Sequence, residues 1–146
     1  MSKEENLRAA TEWGEAVNSG NLERLRALVT PTVVEHDPAP GQKPGAQGYV
    51  DLFTELRTAF PDLQVTPEHV TADEDTVALA YTLAGTHQGP FLGVEATGKR
   101  VKARGVQIAR FEDGRMVERW GSSDQLGILQ QLGAQVKTGL LGKIGL

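Results

Sequence analysis

The chain has 146 residues, enough for one core of ordinary size, and its 39% hydrophobic and 23% charged residues exclude a disordered chain. A formal net charge of −4 argues against a nucleic-acid partner, because phosphate-backbone binding rests on clustered Lys and Arg. There is no cysteine, so disulfides, thiolate metal ligands and cysteine nucleophiles are excluded, and no apolar run approaches the roughly 20 residues of a membrane-spanning helix. Met1–Asn6 is too charged for a signal sequence, and a cytoplasmic address is expected.

In chain order, Ser2 followed by Glu5 three residues later is a capping-box signature. Leu7, Ala10, Trp13 and Val17 then recur at helical spacing, which predicts an amphipathic helix over residues 3–18. Asn18-Ser19-Gly20 breaks it. Asn21 is placed to cap a second, short helix with Leu22, Leu25 and Leu28, ended by Thr30-Pro31. Val33-Val34-Glu35-His36 reads as a short strand, and the loop Asp37–Gly45 follows with three prolines and two glycines. A third helix carries Tyr49, Phe53, Leu56 and Phe60 on one stripe and stops at Pro61-Asp62.

From Leu63 the hydrophobic period changes to two. Strands are predicted near 63–71, 76–88, 100–111 and 115–122. Asp124 caps a last short helix with Leu126, Leu129 and Leu132, closed by Gly133. The domain is set at residues 1–133. The tail 134–146, with Leu140, Leu141, Ile144 and Leu146, is expected to dock on the domain or on a second subunit, since such side chains left in water invite aggregation.

Helices first and a meander afterwards predict an α+β fold, a conical roll of a curved, mainly antiparallel sheet packed on about three helices, with a short C-terminal helix. One sheet face packs on the helices, and the other needs water or a partner. A sheet bent in this way leaves a cavity suited to a small hydrophobic molecule. Arg100, Lys102 and Arg104 alternate onto one side of a strand, read as a solvated face, with anion or carrier-protein docking as the alternative.

Several phrases carry a family resemblance. They are Glu35-His36-Asp37-Pro38, Ala59-Phe60-Pro61-Asp62-Leu63, Gly85-Thr86-His87-Gln88-Gly89 with Phe91-Leu92-Gly93, and Thr97-Gly98-Lys99-Arg100-Val101. Asp113-Gly114-Arg115, Trp120, and Asp124-Gln125-Leu126-Gly127 through Gln130-Gln131-Leu132-Gly133 complete the set. In this order and spacing, over residues 5–133, the chain resembles bacterial SnoaL-like polyketide cyclases, also labelled ester cyclases. They belong to a superfamily that resembles nuclear transport factor two and ketosteroid isomerase. The resemblance implies a conical α+β fold, a homodimer, and cofactor-free acid/base chemistry in which a ring closes by intramolecular aldol condensation. It also implies where the chemistry sits. The family's acid/base aspartate falls at Gly121 here, and its partner histidine at Gln107, so both groups are replaced.

The resemblance requires positions 107 and 121 to face one pocket. A two-residue Asp113-Gly114 turn would set Gln107 opposite Trp120, and a three-residue Glu112-Asp113-Gly114 turn would set it opposite Arg119 and on the face of Gly121. The three-residue turn is therefore expected. Val106, Ile108 and Trp120 then share the opposite face, where burying each is worth roughly 1.5–3 kcal/mol, which favours a dimer through that face. Gly105 is a candidate bulge.

Three residues are candidates for catalysis. His36 enters a Pro/Gly-rich loop and is either functional or bonded to the loop backbone; Asp124 is a helix cap or a carboxylate at the pocket mouth; His87 is functional or an exposed loop residue. Gln107 and Arg119 would present hydrogen-bond donors to a carbonyl or enolate, with a surface cation as the alternative for Arg119. Trp13, Phe53, Leu56, Phe60 and Gly121 would line the cavity, or, for the four helical side chains, serve as core. His69 receives no role, and three scattered histidines show no metal-ligand spacing. Three functions remain open. The first is a cyclase or isomerase acting on a small hydrophobic, polyketide-like carbonyl compound. The second is an epoxide hydrolase, with Arg119 or Arg110 beside Asp37 or Asp124, and the third is a non-catalytic ligand-binding or dimerisation module.

Overall fold

Ser2 begins the first helix as its sequence dictates. Its hydroxyl accepts from the Glu5 N–H, the Glu5 carboxylate accepts from the Ser2 N–H, and helix α1 runs Lys3–Ser19 before Gly20 ends it with φ 78°. The computed structural model describes residues 2–134. Within them a 3₁₀ helix spans Leu22–Ala27, followed by strand β1 (Val29–Glu35), helix α2 (Ala46–Ala59), β2 (Gln64–Ala72), β3 (Thr76–Thr86), β4 (Arg100–Glu112), β5 (Arg115–Ser123) and helix α3 (Gln125–Gln131). The second predicted helix is thus a short 3₁₀ segment. Asn21 makes no side-chain cap, and the chain turns extended at Val29, ahead of Pro31, so β1 starts four residues earlier than Val33. The tail's predicted docking falls, past Ala134, outside the described residues.

The strands form one mixed five-stranded sheet in the order β1-β5-β4-β3-β2. β2 to β5 pair antiparallel, while β1 lies parallel to β5. This is the α+β arrangement expected. Two asparagines tie α1 to the sheet side: Asn6 donates to Asp73 O, and Asn18 both donates to Val65 O and accepts from Val65 N. Leu25, Tyr49, Phe60, Val101, Ala109, Phe111 and Met116 are buried between the layers. Beyond Ser123 the free edge of β4 is closed by the Gln131 amide, which accepts from Lys102 N and donates to Lys102 O like a strand.

The register corrects the turn while keeping the faces. β4 and β5 are joined by the two-residue turn, with Asp113 at φ 52° and Gly114 at φ 77°. An extra residue then enters β5 between Met116 and Glu118, so that Gln107 stands opposite Gly121, Ala109 opposite Arg119 and Ile108 opposite Trp120. The bulge supplies the offset that the three-residue turn was expected to supply. Gly105 is no bulge, since β3 and β4 pair without a shift through it; a side chain there would overlap the ring and hydroxyl of Tyr81.

Candidate active site

Residues 107, 109, 119 and 121 share the helix-covered face of the sheet, and β1 brings Glu35 alongside Arg119. Glu35 follows two valines, with the parity of buried Val33. Its carboxylate is therefore carried inward, where an unpaired charge would cost several kcal/mol. Arg119 Nη1 donates to Glu35 Oε1 at 2.7 Å, with the two side chains only 18% and 10% exposed. Tyr49, from α2, donates its hydroxyl to the same oxygen at 3.1 Å, and the Asp37 N–H donates to Oε2 at 3.0 Å. Burial raises the Tyr49 phenol well above its ordinary value, and the Glu35 charge adds to this against the opposing Arg119, so Tyr49 stays a donor. Burial likewise raises the Tyr81 phenol, opposed by Arg119.

Glu35 is thus an anchor with both oxygens held by fixed donors. Arg119 is held a second time where its Nε donates to Gln107 Oε1 at 2.9 Å. Its remaining nitrogen, Nη2, makes no hydrogen bond to any described residue. That nitrogen lies over Gly121, where a Cβ would come within 2.5 Å of it. The guanidinium occupies the space a side chain at 121 would take.

Asp37 meets the same glycine from the other side. The β1–β5 ladder ends with the His36 N–H donating to Arg119 O, and the Asp37 side chain extends it, Oδ2 accepting from Gly121 N at 2.9 Å. Asp37 and Arg119 form no ion pair with each other. A free donor and a carboxylate therefore flank one residue without a side chain. Nearby, a cleft of about 220 Å³ opens between β1, the 37–45 loop and the start of α2, with Glu35 and Tyr49 on one wall and Pro38, Gln42, Lys43 and Pro44 on the other.

The other expected site residues lie elsewhere. His36 points to the opposite sheet face, where its ring stacks on Trp120 at 4.6 Å and 6° and its Nε2 lies 2.6 Å from Glu118. This corrects its placement in the pocket: one step along a strand reverses the face, and Glu35 takes the inward position. On that outer side Glu118 is held below the usual carboxyl range by hydrogen bonds from His36 and then Arg110. Arg110, also weighed for hydrolysis, pairs there with Glu118 and Glu112. Asp124 caps α3, accepting from Gly127 N at 2.9 Å. His87 is fully buried, which corrects its reading as an exposed loop residue. Its Nδ1 accepts from the Thr97 N–H, its ring packs 5.5 Å from that of Phe60, and its Nε2 has no partner among the described residues. It lies eight residues along β3 from Leu79, the register partner of Gln107, a distance on the order of 25 Å along an extended strand. It belongs to a different part of the molecule from Arg119.

Among the lining candidates, Phe60 is core, 1% exposed and edge-on to Phe91. Trp13, Phe53 and Leu56 stay partly exposed at the edge of that core, with Trp13 edge-on to both Tyr49 and Phe53. They pack against the core beside Tyr49, and none of the three lines the cleft. Among the described residues no cluster of three or more His, Asp or Glu is placed to hold a metal ion, and no helix is long and apolar enough to cross a membrane.

The family model for SnoaL-like polyketide cyclases matches residues 7–132. The chain belongs to the SnoaL-like polyketide cyclase family. Aklanonic acid methyl ester cyclase from Streptomyces peucetius is 27% identical to this SnoaL-like chain over 126 residues, 82% of the chain and 84% of that protein. Among solved structures, AclR from Streptomyces galilaeus is 35% identical with a TM-score of 0.80, covering 90% of this chain and 98% of its own. TsrD from Streptomyces laurentii is 25% identical with a TM-score of 0.84, covering 92% and 99%. The site of this family member also contains residues that sequence reasoning missed. The sequence places Tyr49 on a helix stripe, Asp37 in a motif and as a hydrolase candidate, and Glu35 in the same motif. The available signal was Glu35 itself, a carboxylate at the inward parity of an otherwise apolar strand.

Proposed function

We propose that this SnoaL-like protein is a cofactor-free enzyme that moves a proton next to a carbonyl group in a small hydrophobic, polyketide-like compound, as a cyclase or isomerase. One observation carries the reading: Arg119 is fixed at two nitrogens by Glu35 and Gln107, and its third faces a glycine with its hydrogen-bonding capacity unspent. Fixed donors aimed at developing negative charge stabilise an enolate oxygen without reorganising, which is a large source of rate. A cytoplasmic address is part of this reading. The hydrolase alternative asks for two carboxylates on one arginine at the site; Arg119 has one carboxylate and one amide as partners, and Arg110, which pairs with Glu112 and Glu118, lies on the outer sheet face.

The test is deuterium exchange at carbon next to the carbonyl in 1-tetralone and 2-tetralone, followed by NMR in D₂O. The expected result is exchange by the protein at least about 100-fold above buffer, a modest figure for positioned acid/base catalysis. Binding of the enolate mimic 2-naphthol without any exchange would favour the ligand-binding module instead.

The same reading includes a homodimer through the outer sheet face. Val106, Ile108, Trp120 and Val34 are there 58%, 45%, 37% and 48% exposed, and Ile108 is the register partner of Trp120. Contiguous apolar surface of this kind marks an interaction site. Ile108→Glu is expected to weaken self-association at least about 30-fold in sedimentation equilibrium, the effect of losing a central interface anchor. A parent that sediments as a monomer at tens of micromolar removes the dimer.

A further inference from the structure

We infer that Asp37, two residues past the end of β1, is the carboxylate that takes up and returns the proton in this site; the assignment rests on the proton-transfer reading above. The candidates can be sorted by what their oxygens already do. Glu35 accepts from Arg119 and Tyr49 with one oxygen and from the Asp37 N–H with the other, so each of its oxygens is already held by a fixed donor. Asp124 caps α3 through Oδ1 with both carboxylate oxygens lying against Gly127, and Glu118 lies on the outer face between His36 and Arg110. Asp37 makes a single side-chain bond, through Oδ2 to Gly121 N, and Oδ1 engages no described residue.

That one bond fixes where the free oxygen is. Gly121 has the Arg119 Nη2 over its α-carbon and the Asp37 carboxylate on its amide. Because the two groups form no ion pair, neither blocks the other. A carbonyl oxygen received by Nη2 would bring its neighbouring carbon toward Oδ1. Oδ1 then takes the proton as the C–H bond breaks, the electron pair forms the carbon–carbon double bond of the enolate, and the charge on oxygen is met by the guanidinium. The Asp37 carboxylic acid returns the proton to carbon in an isomerisation. In a ring closure the enolate carbon instead attacks a second carbonyl, and the alkoxide so formed takes the proton. Either route restores the carboxylate.

Asp37→Asn keeps an oxygen for Gly121 N while removing the base. The expected result is a fall in tetralone exchange of about 100-fold or more, with 2-naphthol binding unchanged or tighter, since a negative charge beside the bound naphtholate is gone. Asp37→Glu, with its carboxylate at the exposed loop start, recovers exchange to within about tenfold of the parent. Loss of exchange together with loss of naphthol binding would mean that Asp37 only shapes the site, and overturns the assignment. Undiminished exchange in Asp37→Asn overturns it too while leaving the proton-transfer reading intact. A parent without exchange on either ketone removes both.

Discussion

Arg119→Met lowers tetralone exchange by a factor of about 100–1,000, the usual effect of deleting one fixed donor to an oxyanion, and it also destabilises the fold by about 3 kcal/mol. The second effect comes from Glu35. Its side chain is 10% exposed, and Arg119 is the cation beside it, so the substitution strands a charge at the inner end of β1. Lysine is no substitute. It has one nitrogen for the work of three, and the geometry needs one donor on Gln107, one on Glu35 and one left over Gly121. The two effects separate in the double variant Glu35→Gln/Arg119→Met, where chemical denaturation should recover much of the lost stability while exchange stays low. If Arg119→Met unfolds at the parent's denaturant midpoint, the buried pair is not what holds β1 to β5. If exchange survives in it, Arg119 is not the oxyanion donor.

Much of the architecture could be read from the sequence because it rests on local signals of known meaning. Ser2 and Glu5, the tyrosine–phenylalanine stripe of α2, the alternation from Leu63 onward and the Asp124 cap each state their own structure. The site was harder for three reasons. First, the offset between β4 and β5 depends on an extra residue between Met116 and Glu118, and nothing in Met116-Val117-Glu118 announces a bulge. The expected face came out right because positions 107 and 121 had to share one, although the turn was wrong. Second, β1 joins the sheet parallel to β5, at an edge some 80 residues away in sequence, so that Glu35 meeting Arg119 is a long-range fact. Third, histidine drew attention because of its chemistry, yet strand parity turned His36 to the outer face and left its two carboxylate neighbours, Glu35 and Asp37, at the site. Gly121 looked like a missing catalytic group. In the folded chain it is the space that lets an arginine lie flat.

Gly48→Ala is where local propensity and tertiary packing give opposite signs. Gly48 is the third residue of α2, and in an isolated helix alanine would be favoured there by about 1 kcal/mol. In the fold, a Cβ at this position would overlap the Lys43 carbonyl oxygen and come within 3.0 Å of its carbon and 2.9 Å of Gln42 Cγ. Two of these atoms are backbone, which cannot swing aside as a side-chain tip would, so the start of α2 and the 37–45 loop must move apart. Overpacking of this kind costs typically 1–3 kcal/mol, and here the obstacle is rigid, so the upper end applies and outweighs the propensity gain. We expect a net loss of about 2 kcal/mol, or a melting temperature lower by about 6 °C for a domain of this size. The displacement also reaches the site, because the loop that must shift carries Asp37 at one end and the Gln42–Pro44 wall of the cleft at the other. Exchange should therefore fall in Gly48→Ala even at temperatures where the variant is fully folded. A variant that melts above the parent would show that the loop gives way freely, and that α2 does not set the position of Asp37.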